Sequence, residues 1–330
     1  MGTTLNQSTQ KFRAIGIVNE ISITQEPCEV KIRDKDGNDN GTMDAERIYG
    51  KINLKLDKGT QTFDFFYNSV TSRGESSKSW KNALALHKLN PATGGNKEID
   101  PSMVVITGRV TENKYNGKTR LVWNASSIST SNIDADDEPG CTLTGNFFIN
   151  KIAPEIVNEE ETGRLNVELF AVGYKADPIQ IECVVEEDLA DAFEDIYSVG
   201  DTATFTLDTC FKHVGGEKKQ TKMAFGKGGK VNTNLSYDRQ YLALVGGLDP
   251  IEEPDEEEDE DGNIVTRDNG YIDPKTMKIA LKERDTAIKE TEEQETTTKK
   301  TTTADRKKAQ KNKGIGKASP IPDDDEDDPF

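Results

Sequence analysis

The residues of this chain best suited to chemistry are aromatic and basic, and they fall in three groups. Tyr115 stands in Lys114-Tyr115-Asn116-Gly117-Lys118, with Arg120 just beyond. Lys218, Lys219, Lys222, Phe225, Lys227 and Lys230 are interleaved with Gly226, Gly228 and Gly229. Phe63, Phe65, Phe66 and Tyr67 lie close together, and Trp123 follows at a distance. Flat rings among cations suit stacking on unpaired bases, at about 1–3 kcal/mol per base, beside neutralised phosphates. Each group also has a plainer reading. Phe63, Phe65 and Tyr67 share one strand parity and Phe66 the other, so one set is core, and the sequence leaves open which. Trp123 alternates with Val122 and can face either way. Tyr115, on a hairpin tip, cannot easily reach a core. The glycine-rich basic stretch reads either as a flexible finger over a bound strand or as a solvated insertion.

Other chemistries find little material. No G-x-x-x-x-G-K-[ST] run is present, which excludes a P-loop. Asp36, Asn38, Asn40 and Gly41 begin like a calcium loop, but Arg47 stands where the bidentate carboxylate belongs. Glu257, Asp259, Asp261, Gly262 and Asp268 fit a little better, yet their flanks carry Pro254, Gly270 and Pro274; both stretches read as turns or acidic linker. Cys28, Cys141, Cys183 and Cys210 are widely spaced and only His87 and His213 accompany them, so a zinc site is not expected. No Ser/His/Asp set stands out, and neither an enzyme nor a cofactor is expected. Without a signal peptide or a long apolar run, a cytoplasmic protein with reduced thiols is expected.

The net charge of −18 is local. Nine acids lie in residues 252–261 and six form the run Asp323, Asp324, Asp325, Glu326, Asp327, Asp328, followed by Pro329 and Phe330. Without these two clusters the body is near neutral and can carry a basic groove. The final stretch must stay in water, where a basic cleft can neutralise the carboxylates and an apolar pocket can take the Phe330 ring. It resembles the acidic tip of bacterial and bacteriophage single-stranded-DNA-binding proteins. The resemblance implies an OB-fold body that coats and protects single-stranded DNA in the host cytoplasm during replication or recombination. It also implies a tip that recruits a polymerase, helicase, primase or recombinase, and a phage-encoded protein rather than a housekeeping copy. The alternatives are a phage assembly adaptor without DNA binding, or an acidic DNA mimic that competes for a host protein.

The elements that must position these residues are mostly strands. Period-two burial and turn residues mark strands at 12–24, 47–56 and 62–67, a helix at 80–89, then strands at 103–111 and 119–128 around the Asn-Gly hairpin. Three strands, a helix and a hairpin follow the order of an OB fold. After a Ser/Asn/Asp-rich linker at 131–140 the pattern returns, with strands at 141–152, 165–174 and 179–185, a helix at 187–197, and strands at 202–211 and 241–248. Gly50 to Leu56 echoes Gly163 to Leu169, which supports a duplication. The fold class read here is mainly β: two tandem OB-like five-stranded barrels at 11–130 and 141–250, followed by a disordered acidic tail. Residues 1–10 read as loose. Asp273-Pro274 opens a helix-prone stretch at 274–295 whose apolar stripe (Met277, Leu281, Ile288) is too narrow for a core, so 251–330 reads as a flexible tail.

Overall fold

A computed structural model describes residues 5–115, 118–131, 133–134, 137–157, 159–174, 176–214, 218–222, 230–234, 237–254, 256–258, 264–266 and 269–290. The chain is mainly β. Its first unit runs β1 (Lys11–Arg33), β2 (Asp39–Lys55), β3 (Thr60–Asn68), α1 (Lys78–Ala85), β4 (Met103–Tyr115) and β5 (Lys118–Ser129). The second repeats the order with β6 (Gly140–Val157), β7 (Glu160–Val172), β8 (Pro178–Val185), α2 (Glu187–Ile196) and β9 (Thr202–Val214). The short pair β10 (Lys218–Lys222) and β11 (Lys230–Asn234) is inserted before β12 (Tyr237–Gly247). Another short pair, β13 (Glu256–Glu258) and β14 (Ile264–Thr266), precedes a helix α3 spanning 274–290.

In the first unit β1 pairs with both β2 and β4, closing the order β1-β2-β3-β5-β4, and β3 runs parallel to β5. The second closes in the same way, as β6-β7-β8-β12-β9 with β6 against β9 and β8 parallel to β12. Both are therefore five-stranded OB-like barrels with the helix between the third and fourth strands. The echo is structural too. At Gly50 in β2 a Cβ would lie 1.9 Å from the Ser22 carbonyl oxygen, and in β7 the counterpart Gly163 presses against Glu187. In both barrels, glycine allows the second strand to pass close to a neighbour.

The barrels are fused along their first strands. Lys11 to Ile15 of β1 pair antiparallel with Thr144 to Gly140 of β6, so one ten-stranded sheet runs through both. The apolar interior is continuous as well, from Phe12, Ile52 and Phe63 through Leu143 and Phe147 to Leu169 and Phe205. Two further contacts cross the seam. The Gln240 side-chain amide donates to Gln61 Oε1, and the backbone of Gly59 lies against the Phe211 ring, where a Cβ would come within 2.3 Å.

Two segments expected to be loose are anchored. Ser8 exchanges hydrogen bonds with the Val172 backbone, and the Gln10 amide does the same with Val110, tying residues 5–10 to β7 and β4. Buried polar side chains persist where they satisfy backbone groups, which is what these two do. Downstream of the second barrel, Ile251 donates to Thr202 O, and Ile272 exchanges hydrogen bonds with the Thr202 hydroxyl. The Asp273 carboxylate caps α3 by accepting from Thr276 N at 2.9 Å. Ile272 and Met277 then bury against Phe148, Phe170 and Val172, with Leu281 beside them, so α3 is docked on the second barrel. Residues 291–330, with the acidic tip, lie outside the described residues.

Gly59→Ala should cost about 1–3 kcal/mol by forcing apart the loop and the Phe211 ring. Denaturant melts are expected to show partial recovery in the Gly59→Ala, Phe211→Ala double variant. A shared sheet and interior also predict one calorimetric transition; two separate transitions would mean that the barrels unfold independently.

Candidate nucleic-acid interface

The side chains of β3 alternate strictly, and burial resolves the ambiguity of its aromatics. Phe63, Phe65 and Tyr67 point into the first barrel, at 3 % exposure for Phe65 and 8 % for Tyr67, while Phe66 faces outward at 55 %. Trp123 is interior too, edge-on to Phe12 at 5.1 Å and to Phe63 at 6.2 Å between centroids. Phe65, Tyr67 and Trp123 therefore offer no free ring face to a base, which corrects the expectation for all three. Their rings supply the apolar volume that a small barrel needs to fill its interior. Burial also pushes the Tyr67 phenol up to about 12, and among the described residues its hydroxyl has no hydrogen-bond partner.

The outward parity carries the opposite chemistry. Phe66 is paired across the sheet with Tyr49 of β2, two pairs from Lys51–Asp64 and two pairs in the other direction from Arg47–Asn68. The Arg47 guanidinium lies over the Phe66 ring at 5.3 Å, a cation–π contact that leaves the opposite ring face to solvent. Glu26 Oε1 is 3.8 Å from Arg47 Nη1, beyond hydrogen-bonding range, so the guanidinium fork is not consumed by it. The Lys51 ammonium is 62 % exposed and 3.6 Å from Asp64. Two rings and two cations thus share the outer face of the second and third strands, the surface on which OB folds hold oligonucleotides.

From Phe66 the face runs back along β3 to Thr60, six residues or roughly 20 Å. There it meets the β4–β5 hairpin, whose last described pair is Tyr115 with Lys118. Lys114, Lys118 and Arg120 are exposed on this hairpin, and Lys114 Nζ lies 3.8 Å from Glu112. The side chain of Tyr115 is outside the described residues. Between face and hairpin opens a cleft of about 450 Å³ walled by Lys51, Thr62 and Arg120 from the first barrel and by Gln180, Glu182 and Gln240 from the second. Lys218, Lys219, Lys222 and Lys230 lie on β10 and β11 by their backbones, while Phe225 and Lys227 lie outside the described residues.

Sequence comparison matches residues 14–294 to the YorF family. The chain belongs to the YorF family. No curated protein matches it. In structure it is similar to the wild-type single-stranded DNA binding protein from Thermus aquaticus, at 8 % identity and a TM-score of 0.40, covering 76 % of this chain and 98 % of that one. A deletion mutant of the same Thermus aquaticus protein aligns at 9 % identity and a TM-score of 0.36, covering 74 % and 96 %. The fold of this YorF-family chain is assigned from its own strand order, not from these likenesses.

Within the family chain the two barrels differ where it matters. Matching Gly50 to Gly163 places Glu160, Thr162 and Arg164 of β7 at the positions of Arg47, Tyr49 and Lys51. Ring and cation are replaced by a hydroxyl and a carboxylate. Arg164 is already held, Nη1 to Glu155 at 3.2 Å and Nη2 to Glu186 at 2.9 Å. From sequence, Phe66 stood only as the opposite parity of β3, and Tyr49 was not singled out. A signal was available in β3, since three aromatics on one parity against a single one on the other favours the larger set as core. Among the described residues no cluster of His, Cys, Asp and Glu could hold a metal ion, and no helix is long and apolar enough to cross a membrane. Of the stretch read as a turn, Asp36 and Asn38 lie in one, where the Asp34 carboxylate accepts from their backbone N–H groups, while Asn40 and Gly41 belong to β2.

Tyr67→Phe removes a buried hydroxyl that has no partner among the described residues, so it should leave stability at pH 7 unchanged or raise it by up to about 1 kcal/mol. The phenol ionises near 10.0 when unfolded and near 12 in the fold, so its contribution is complete below pH 10 and is lost as pH rises toward 12. Melts across this range should therefore fall less steeply for Tyr67→Phe than for the parent, and parallel curves would show that the phenol is not buried as described.

Proposed function

We propose that this chain binds single-stranded DNA on the outer face of β2 and β3, stacking bases on Phe66 and Tyr49 and placing phosphates near Arg47, Lys51 and the β4–β5 hairpin. The observation that supports this most directly is the cross-strand pair Tyr49–Phe66, with Arg47 lying over an exposed ring. A large exposed ring flanked by cations gives the barrel nothing in packing, and it has the geometry of a base-stacking platform. The span of roughly 20 Å to the hairpin suits a short stretch of strand, at the low end of the about 4–16 nucleotides that an OB fold covers. Lys114, Tyr115, Lys118 and Arg120 would extend the contact, and Lys218, Lys219, Lys222, Phe225, Lys227 and Lys230 would close over the strand from the second barrel.

In the finer reading, the protein is phage-encoded and coats single strands during replication or recombination, and Asp323–Phe330 recruits partner enzymes. The mixed signs along the face, with Asp64 beside Lys51 and Glu26 near Arg47, favour moderate affinity in which stacking outweighs charge. No chemistry on the DNA is implied, since binding alone prevents hairpins and nuclease attack.

Fluorescence anisotropy of a labelled mixed-sequence single strand, with unlabelled duplex as competitor, tests the reading. Phe66→Ala and Tyr49→Ala should each weaken binding by about 1–3 kcal/mol. Lys51→Ala should reduce the salt slope by about 0.7, the share of one phosphate contact on a single strand. If the parent protein fails to bind at low salt, or binds duplex equally well, the reading is wrong.

A further inference from the structure

Helix α3 reaches across the seam between the barrels through one side chain. It lies on the outer face of the second barrel, with Ile272 and Met277 packed on Phe148, Phe170 and Val172, and just past the middle of its described span Arg284 reaches Glu112 of the first barrel. Arg284 Nε donates to Glu112 Oε2 at 3.1 Å, and Nη2 donates both to Glu112 Oε1 and, at 2.9 Å, to Gln180 Oε1. Its guanidinium also lies 5.5 Å from the Phe170 ring centroid. The pair is closed to solvent, with side-chain exposures of 6 % for Arg284 and 5 % for Glu112. One guanidinium therefore holds together β4 of the first barrel, β8 and β7 of the second, and α3.

Buried ion pairs contribute little net stability, because desolvation cancels much of the attraction; their best-attested use is to specify one arrangement over others. The arrangement at stake here is that of the β4–β5 hairpin. Glu112 lies opposite Leu121 on that hairpin, one pair from Asn113–Arg120 and three from Tyr115–Lys118. Lys114 shares the same carboxylate. We infer that Arg284 is a positioning residue: by clamping Glu112 it sets the angle of the β4–β5 hairpin over the β2–β3 face, and so the alignment of Arg120 and its neighbours with Phe66 and Tyr49. This rests on the single-stranded-DNA reading of that face. Arg284 does not touch the nucleic acid, since its donors are buried against protein acceptors. Its effect travels through Glu112.

The test uses the full chain and the variants Arg284→Ala, Glu112→Gln and the exchanged pair Arg284→Glu with Glu112→Arg. Two readouts are needed: anisotropy of a labelled oligothymidine over a salt series, and hydrogen exchange of residues 110–121 without DNA. Arg284→Ala should weaken binding about tenfold with the salt slope unchanged, within the range transmitted by a residue acting through another. It should also speed exchange in 110–121 while leaving β2 and β3 protected, and the exchanged pair should restore part of both effects. Slower or unchanged exchange, or affinity equal to the parent's, overturns the positioning role. A lower salt slope would instead make Arg284 a direct phosphate contact, and tighter binding would make α3 a cover over a site, both contrary to the inference. If the parent itself fails to bind, the functional reading falls, and with it the alignment of the hairpin with the face. The exchange data would then still decide whether Arg284 holds the hairpin.

Discussion

The antiparallel seam between β1 and β6 is the constraint on which the rest of the molecule depends. Five residues of each first strand pair with the other, and this fixes the barrels back to back in one sheet with one interior. Every cross-barrel relation follows from that seam. The Gly59 loop reaches the Phe211 ring, Gln240 reaches Gln61, and β8 comes alongside the β4–β5 hairpin so that Glu112 and Gln180 can share Arg284. Without the seam the cleft beside the β2–β3 face would have one wall, and α3 would have nothing to bridge.

The two barrels repeat one strand order but carry unequal surfaces. Both barrels keep the inward parity apolar, because an interior tolerates little else, and both keep the glycine at which the second strand passes close to its neighbour. The outward parity is free to change. In the first barrel it carries Tyr49, Phe66, Arg47 and Lys51. In the second it carries Glu160, Thr162 and an Arg164 already bound to two carboxylates, while the lower part is covered by α3. The first barrel keeps an aromatic and basic outer face, and the second carries α3.

Much of this was legible in the residues. The order of three strands, a helix and a hairpin, and its repetition, follow from period-two burial and turn chemistry, which are local. The parity of β3 was legible only as the majority of Phe63, Phe65 and Tyr67 over Phe66, and the closed barrel decides which side is interior. Tyr49 acquires its meaning only from the register that sets it opposite Phe66, a long-range property. The docking of α3 was hidden because Met277, Leu281 and Ile288 form a narrow stripe. Its receptor left a trace, however: Phe147-Phe148-Ile149 and Leu169-Phe170-Ala171-Val172 are apolar on both parities, as strands buried on both faces are. Ser8 and Gln10 look like loose-end residues by composition, and only the backbone groups they satisfy show otherwise. The Tyr115 side chain, residues 223–229 and the acidic tip lie outside the described residues.

The central claim is that nucleic acid lies on one barrel's β2–β3 face and not on the other's counterpart. Photocrosslinking of a single strand carrying 5-iodouracil, followed by peptide mapping, addresses it most directly, because the reactive base must stack against an aromatic ring to couple. Crosslinks in the peptides holding Tyr49 and Phe66, with none in residues 160–186, are the predicted result. Crosslinks concentrated in 160–186, or an even spread over both barrels, would contradict the account.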